Sequence, residues 1–165
     1  IGELVCRFFN AAAAAGEVLR GRSERLLPAT VTTEVASLIE GGDVAAVEGI
    51  MSDLLGVGAP ARADAEALQA VARAVSCRGA RVSACAIGAI LEHMQRLGTR
   101  TVVAVDGSVF TKYTAFQTRM EACLRDMYGA DAALIELLSA ILDPLPSRRP
   151  SASSATSFPL RRHRS

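Results

Sequence analysis

The sequence contains no tryptophan, one lysine and two histidines among 165 residues, and these scarcities exclude several kinds of site. With only His93 and His163 available, a metal centre built from cysteine and histidine is not expected. No C-x-x-C spacing occurs, and an unpaired thiol packs as a small apolar group. We therefore expect free thiols, all of them buried, at the four cysteines: Cys6, Cys77, Cys85 and Cys123.

Signatures of self-sufficient catalysis are also missing. Neither G-x-x-x-x-G-K-[ST] nor G-x-G-x-x-G occurs, so the chain carries no phosphate-binding loop of its own. His93 falls on a long predicted helix without a nucleophile beside it, and is expected at the surface. The paired carboxylates Glu34 with Glu40, and Glu121 with Asp126, are expected on exposed, solvated helix faces.

The formal net charge of +1 conceals an asymmetry along the chain. Five arginines and no acidic residue follow Asp143, so the preceding part is mildly acidic. Such a surface predicts no nucleic-acid partner. We divide the chain into a folded part, residues 1–143, and a Pro/Ser/Arg-rich tail, residues 144–165, whose composition predicts disorder.

Targeting signals are not expected. The chain opens on Ile1 without a charged segment, which indicates a start within a domain, and the apolar run Ala11–Ala15 is too short to cross a membrane. A reducing, cytoplasmic location is the default expectation.

Alanine-rich, three- and four-residue apolar spacing predicts five helices. Gly79 is expected to bend or break the fourth, whose apolar stripe includes Val82, Cys85 and Ile90. Small residues Ala80 and Ala84 followed by Gly88 line one side of it and would let another backbone approach closely. The predicted helices are 2–21; 33–40, capped by a threonine; 44–55, capped by Asp43; 65–97; and 115–128, capped by Thr114.

Two strands are predicted late in the chain. Thr101–Val105 is a β-branched apolar run expected to be covered on both faces, and Val109 and Phe110 are expected to continue extended after an Asp-Gly-Ser turn. Residues 132–138 form the second strand. Strand, helix and strand in this order predict a parallel pair with a right-handed crossover, hence a helix-rich α/β fold with strands at 101–110 and 132–138.

The Asp106-Gly107-Ser108 turn follows the carboxyl end of a predicted strand, where ligands of open α/β sheets bind. Glycine lets a ligand approach the backbone, and serine both donates and accepts hydrogen bonds. The same three residues also suit an ordinary turn, and spacing alone does not decide between the two.

A longer pattern around this turn carries a resemblance. V-A-V-D-G-S-V-F-T-K-Y, residues 103–113, resembles the adenosine-motif region of the eukaryotic hexokinases. Residues 74–91 are similar to that family's Val-Ser-x-Arg-x-Ala helix. I-G-E-L-V-C-R, residues 1–7, and T-E-V-A-S-L-I-E, residues 33–40, resemble two further family segments in the same order.

The resemblance implies an actin-like ATPase fold, with this chain in the C-terminal part of the large lobe. It implies a kinase that transfers the γ-phosphoryl of ATP to the 6-hydroxyl of glucose or a related hexose in glycolysis, with Mg²⁺ held through the phosphates and not by this chain. The matching positions assign no catalytic or metal-binding residue here. They assign these to the adenosine site: Thr33, Ser37, Gly107, Ser108, Val109, Phe110, Thr111 and Lys112.

Departures from the family pattern set further expectations. The family's catalytic Asp, sugar-binding residues and phosphate loops precede the matching segment, so the isolated chain is expected to be inactive and marginally stable. After Ser139 the family's Asp-Gly-Ser-Gly pattern is replaced, which indicates a frameshift, a retained intron or a misjoined gene model. Two alternatives remain: a non-catalytic helical interaction module with a basic tail, and a regulatory, catalytically dead hexokinase homologue. Oligomeric state and hexose preference stay open.

Overall fold

Nine helical and strand segments make up the computed structural model, which describes residues 1–56, 58, 60–113 and 115–139. The predicted tail and its boundary at residue 143 lie outside the described residues, as does the predicted cap Thr114. In chain order the segments are α1 (Gly2–Ala14), α2 (Thr33–Gly41), α3 (Val44–Leu55), α4 (Arg62–His93), β1 (Thr101–Val105), α5 (Ser108–Lys112), α6 (Phe116–Tyr128), a 3₁₀ helix (Gly129–Leu134) and β2 (Ile135–Ser139).

Helix α4 is the element against which α1, α2, α3 and α6 all pack. Its inner face is built from leucine and alanine, with Leu68, Ala65 and Ala72 fully buried. By length and composition alone, α4 is also the one helix in the described part that could cross a membrane, a test that core helices pass as well.

The predicted break in α4 is wrong, because the helix runs continuously through Gly79. The Phe116 ring packs beside Gly79, where a Cβ would lie 3.4 Å from Cε2, an ordinary van der Waals contact. The helix therefore tolerates the weak propensity of glycine, since tertiary packing outweighs it.

The small residues Ala80, Ala84 and Gly88 form the buried side of α4, as predicted. Val82, Cys85 and Ile90, the larger members of the expected stripe, are exposed instead. The small side chains allow α6 to approach, and Cys85 contacts Met127 of α6 with 3.8 Å between the two sulfur atoms. All four cysteines are free, but only Cys6 is buried, so the expectation of four buried thiols is corrected. His93 is exposed, as expected.

Helix α1 ends at Ala14 and not at residue 21. Beyond it the chain turns through Gly16 and Leu19, which have φ values of 73° and 51°. The Leu19 amide donates to Asp64 Oδ1 at 2.9 Å, and the Leu19 side chain is buried. A carboxylate at the start of α4 thus holds the turn, a contact that local spacing does not reveal.

Helices α2 and α3 begin where the sequence predicts, because their caps are local. Thr32 Oγ1 accepts from the Val35 amide at 3.2 Å, and Asp43 Oδ1 accepts from the Ala46 amide at 2.8 Å. Gln69 on α4 donates to the Gly42 carbonyl at 2.7 Å and so satisfies the exposed end of α2.

Strands β1 and β2 form a parallel pair, as predicted, with Thr101 opposite Ile135 and Val105 opposite Ser139. Two details are corrected. Residues 109 and 110 belong to α5 and are not extended, and the second strand spans 135–139 because the alanine-containing segment before it winds as a 3₁₀ helix.

The sheet is covered on one face only within the described residues. Leu137 is buried and Val103 half-buried against the helices, whereas Val102 is 55% exposed and Leu138 46% exposed. The expectation of a strand covered on both faces is therefore wrong here, because one face of the pair exposes apolar side chains. Marginal stability stays a prediction.

Close packing at Gly2 gives a first test of the fold. A Cβ on Gly2 would lie 1.9 Å from the Val31 carbonyl oxygen, so Gly2→Ala must push α1 away from the segment before α2. We expect a loss of about 1–3 kcal/mol in the free energy of unfolding, measured by chemical denaturation.

Gly49→Ala is the matched control, because nothing lies within 4 Å of a Cβ at that exposed position of α3. It should gain about 0.5–1 kcal/mol from improved helix propensity. Equal effects of the two substitutions would contradict the close approach at Gly2.

Candidate nucleoside cleft

A cleft of about 430 Å³ lies between α2 and α5. Four of the eight residues predicted for the adenosine site meet in it, two from each helix. The full lining is Thr33, Glu34, Ser37, Leu38, Ser108, Lys112 and Tyr113.

Helical spacing explains why these side chains share the cleft. Thr33 and Ser37 are four residues apart on α2, and Ser108 and Lys112 are four residues apart on α5. Residues at this spacing lie on the same helix face, one turn apart. Each wall of the cleft is therefore one face of a helix.

The other predicted site residues surround the α5 wall without lining the cleft. Phe110 is 5% exposed and packs in the core, so it supports the wall from behind. Gly107 has a φ of 137°, a conformation that side-chain-bearing residues rarely adopt, and it turns the chain from β1 into α5. Val109 is half-buried and Thr111 is exposed.

The lining chemistry suits the sugar and base of a nucleotide better than its phosphates. Three hydroxyls, from Thr33, Ser37 and Ser108, can donate and accept hydrogen bonds, and Leu38 adds an apolar surface. Lys112 supplies one positive charge and Glu34 one negative charge. Within the described residues, no group of three His, Cys, Asp or Glu side chains could hold a metal ion.

A buried polar cluster lies behind the cleft and joins α2, α4 and α6. Glu40 is 5% exposed; it accepts a hydrogen bond from Ser76 Oγ at 2.6 Å and forms an ion pair with Arg119. Arg119 also donates to Ser76 Oγ. The expectation that Glu40 is solvated is wrong because the Arg119 guanidinium and the Ser76 hydroxyl replace water around its carboxylate. Glu34 is exposed, as expected.

Tyr113 connects this cluster to the cleft. Its hydroxyl donates to the Ala36 carbonyl at 3.2 Å, and its ring packs edge-to-face on Phe116. Burial, and then the neighbouring negative charge of Glu40, raise the pKa of the Tyr113 phenol well above its usual range.

Sequence reasoning missed the cluster although one signal pointed to it. Ser76 continues the four-residue row of Ala80, Ala84 and Gly88 toward the start of α4. A hydroxyl on a row of buried small residues requires a partner. Which partner it finds depends on how α2 and α6 pack, and spacing within α4 does not show that.

The chain is similar to known hexokinases in sequence and in fold. A family sequence model described as hexokinase matches residues 1–141. Hexokinase-9 of Oryza sativa subsp. japonica is 33% identical over 96 residues, which cover 55% of this chain and 19% of that protein. Hexokinase-1 of Arabidopsis thaliana is 37% identical over 65 residues, covering 36% and 13% of the two chains.

A solved structure, "Crystal structure of Hexokinase", superposes with a TM-score of 0.68 at 21% identity, covering 84% of this chain and 31% of that one. The likeness shows that the described residues have the fold of a part of hexokinase, which is an actin-like ATPase fold. The chain spans about a fifth of the length of the rice relative.

Because Glu40 and Arg119 form a buried ion pair, removing one partner should destabilise the chain more than removing both. Arg119→Met leaves the Glu40 carboxylate, whose side chain is 2% exposed, buried without a cation. We expect the free energy of unfolding to fall by about 3 kcal/mol, measured by urea denaturation. Replacing Glu40 and Arg119 by Met together should cost clearly less than Arg119→Met alone. A double variant at least as unstable as the single one would contradict this account.

Titration of Tyr113 predicts a loss of stability in alkali. In the unfolded chain the phenol ionises near about pH 10, whereas in the folded chain its raised pKa keeps it protonated. The contribution of Tyr113 to the free energy of unfolding is therefore fully present below about pH 10 and decreases as the pH rises further. Thermal midpoints of Tyr113→Phe should decline less than those of the wild type between about pH 9 and 11. Identical declines would show that Tyr113 is not protected in the folded chain.

Proposed function

Because this chain belongs to the hexokinase family, we propose that the protein of which it forms a part is an ATP-dependent hexose kinase. Its reaction transfers the γ-phosphoryl group of ATP to the 6-hydroxyl of glucose or a related hexose. The family match over residues 1–141 supports the class of reaction. The choice of hexose, the role in glycolysis and a cytoplasmic location are further parts of the proposal.

The cleft between α2 and α5 is proposed to hold the adenosine part of ATP. The observation that carries this proposal is the meeting of Thr33 and Ser37 with Ser108 and Lys112, two pairs far apart in sequence, around one space. Hydroxyl groups on both walls can hydrogen-bond a ribose or an adenine edge together. Contacts of this kind orient a substrate, so that its reacting end is delivered in a fixed position.

Phosphoryl transfer is proposed to take place outside the part of the cleft formed here. The transferred group comes from ATP, with Mg²⁺ bound through the phosphates, and stabilising its transition state takes several positive charges and metal ions. The cleft lining offers Lys112 alone, opposed by Glu34. We therefore propose that the isolated chain transfers no phosphoryl group to a hexose.

Titration of the isotopically labelled chain with adenosine and with ATP tests the proposal. Amide resonances of Ser37, Ser108 and Lys112 should shift in both titrations. The two dissociation constants should be similar, because the phosphates of ATP would find only one basic side chain, Lys112, in the cleft lining. Ser37→Ala should weaken adenosine binding by about threefold to tenfold, the range expected for one hydrogen bond.

Thr118→Ala, on the exposed surface of α6 and outside the cleft lining, is the control and should leave the affinity unchanged. A coupled assay with ATP and glucose on the same chain should give no sugar phosphate. Shifts confined to residues outside the cleft, or equal losses in the two variants, would overturn the proposed adenosine site.

A further inference from the structure

The two walls of the cleft belong to segments about 75 residues apart, and a hydrogen bond between Tyr113 and Ala36 joins them directly. The Tyr113 hydroxyl, immediately after α5, donates to the carbonyl of Ala36, in the middle of α2. Ala36 lies between the cleft residues Thr33 and Ser37 in sequence, and Tyr113 adjoins Lys112. The bond therefore ties the backbone of one wall to the end of the other.

We propose that Tyr113 is a positioning residue that sets the separation of the two walls and thereby the affinity of the cleft for a nucleoside. The inference rests on the proposed function, since it concerns the same cleft. It adds a residue that the family resemblance did not assign, and a role that depends on its hydroxyl and not on its ring.

The burial of Tyr113 makes the bond a firm constraint. The residue is 5% exposed, so little water reaches its hydroxyl while the two walls are joined. Glu40 and Ser76 also lie beside the hydroxyl.

The polar cluster anchors the α2 side of this connection. Glu40 is one helical turn after Ala36, and its carboxylate is held by Ser76 from α4 and Arg119 from α6. Helix α2 is therefore fixed to the main helical layer at Glu40. The bond from Tyr113 to Ala36 then holds the end of α5 beside α2. Without this bond, α5 would contact the helical layer chiefly through Phe110 and α6.

A ligand that contacts both walls benefits from a preset separation. Without the bond, the walls would have to be ordered during binding, and that ordering subtracts from the affinity. If Tyr113 had a purely structural role, removing its hydroxyl would change the stability of the chain alone. A positioning tyrosine changes the affinity for adenosine as well, and the two effects are separable by experiment.

Tyr113→Phe and Tyr128→Phe form a matched pair, since the chain has two tyrosines and each variant loses one hydroxyl. Tyr128 lies at the end of α6 against Gly88 and does not line the cleft. Adenosine affinity is measured by amide shifts on each labelled chain, with thermal midpoints recorded in parallel. We expect Tyr113→Phe to bind adenosine about fivefold more weakly, and Tyr128→Phe to bind it as the wild type does.

In the ligand-free chains, Tyr113→Phe should also shift the amides of Ser37 and Lys112 together, a signature of altered wall separation that Tyr128→Phe should lack. Wild-type affinity in a folded Tyr113→Phe overturns the inference and leaves the proposed function standing. Failure of the wild-type chain to bind adenosine at the cleft defeats the proposed adenosine site itself, and the inference with it.

Phenylalanine keeps the ring contact with Phe116, so the variant is expected to fold. If its spectrum shows an unfolded chain, Arg119→Lys replaces it. That variant keeps the charge beside Glu40 but loses the forked contact to Glu40 and Ser76. A measurable fall in adenosine affinity supports the inference, and unchanged affinity overturns it.

Discussion

A carboxylate buried away from water persists only where a cation and hydrogen-bond donors surround it, and Glu40 imposes this condition on the whole helical layer. Its side chain is 2% exposed, and its partners come from two other helices. Arg119 must reach it from α6 and Ser76 from α4. The positions of α2, α4 and α6 are therefore mutually fixed at one point, and the apolar contacts around that point fill the remaining space.

The cleft depends on this arrangement because one of its walls is the exposed face of α2. Glu40 points into the layer, while Thr33 and Ser37 line the cleft. The opposite wall reaches the same location through the turn at Gly107, which redirects the chain at the end of β1 into α5. A strand end, a glycine turn and a helix face thus converge on a space with hydroxyls on both sides. This geometry supports the proposal that the family's nucleotide is oriented here.

The sequence predicts what local interactions determine. Helix α3 spans 44–55 as expected because Asp43 caps its own first turn, and the parallel pairing of the strands follows from their order around α6. What escaped prediction depends on distant residues. The turn after α1 is held by Asp64 at the Leu19 amide, and the Glu40 carboxylate is buried against Arg119. The resemblance predicted four of the residues that line the candidate site. The contribution of Tyr113 was not predicted, because it depends on the packing of α5 beside α2.

We propose that one nucleoside lies between α2 and α5 and contacts both helices. Isotope-filtered nuclear Overhauser measurements on the labelled chain with unlabelled adenosine test it most directly, because they report which protons lie against the ligand. We predict contacts from the same adenosine to side-chain protons of Ser37 or Leu38 and of Ser108 or Lys112. Contacts to one wall alone, or to the groove beside β2 lined by Arg125 and Ile135, would contradict it.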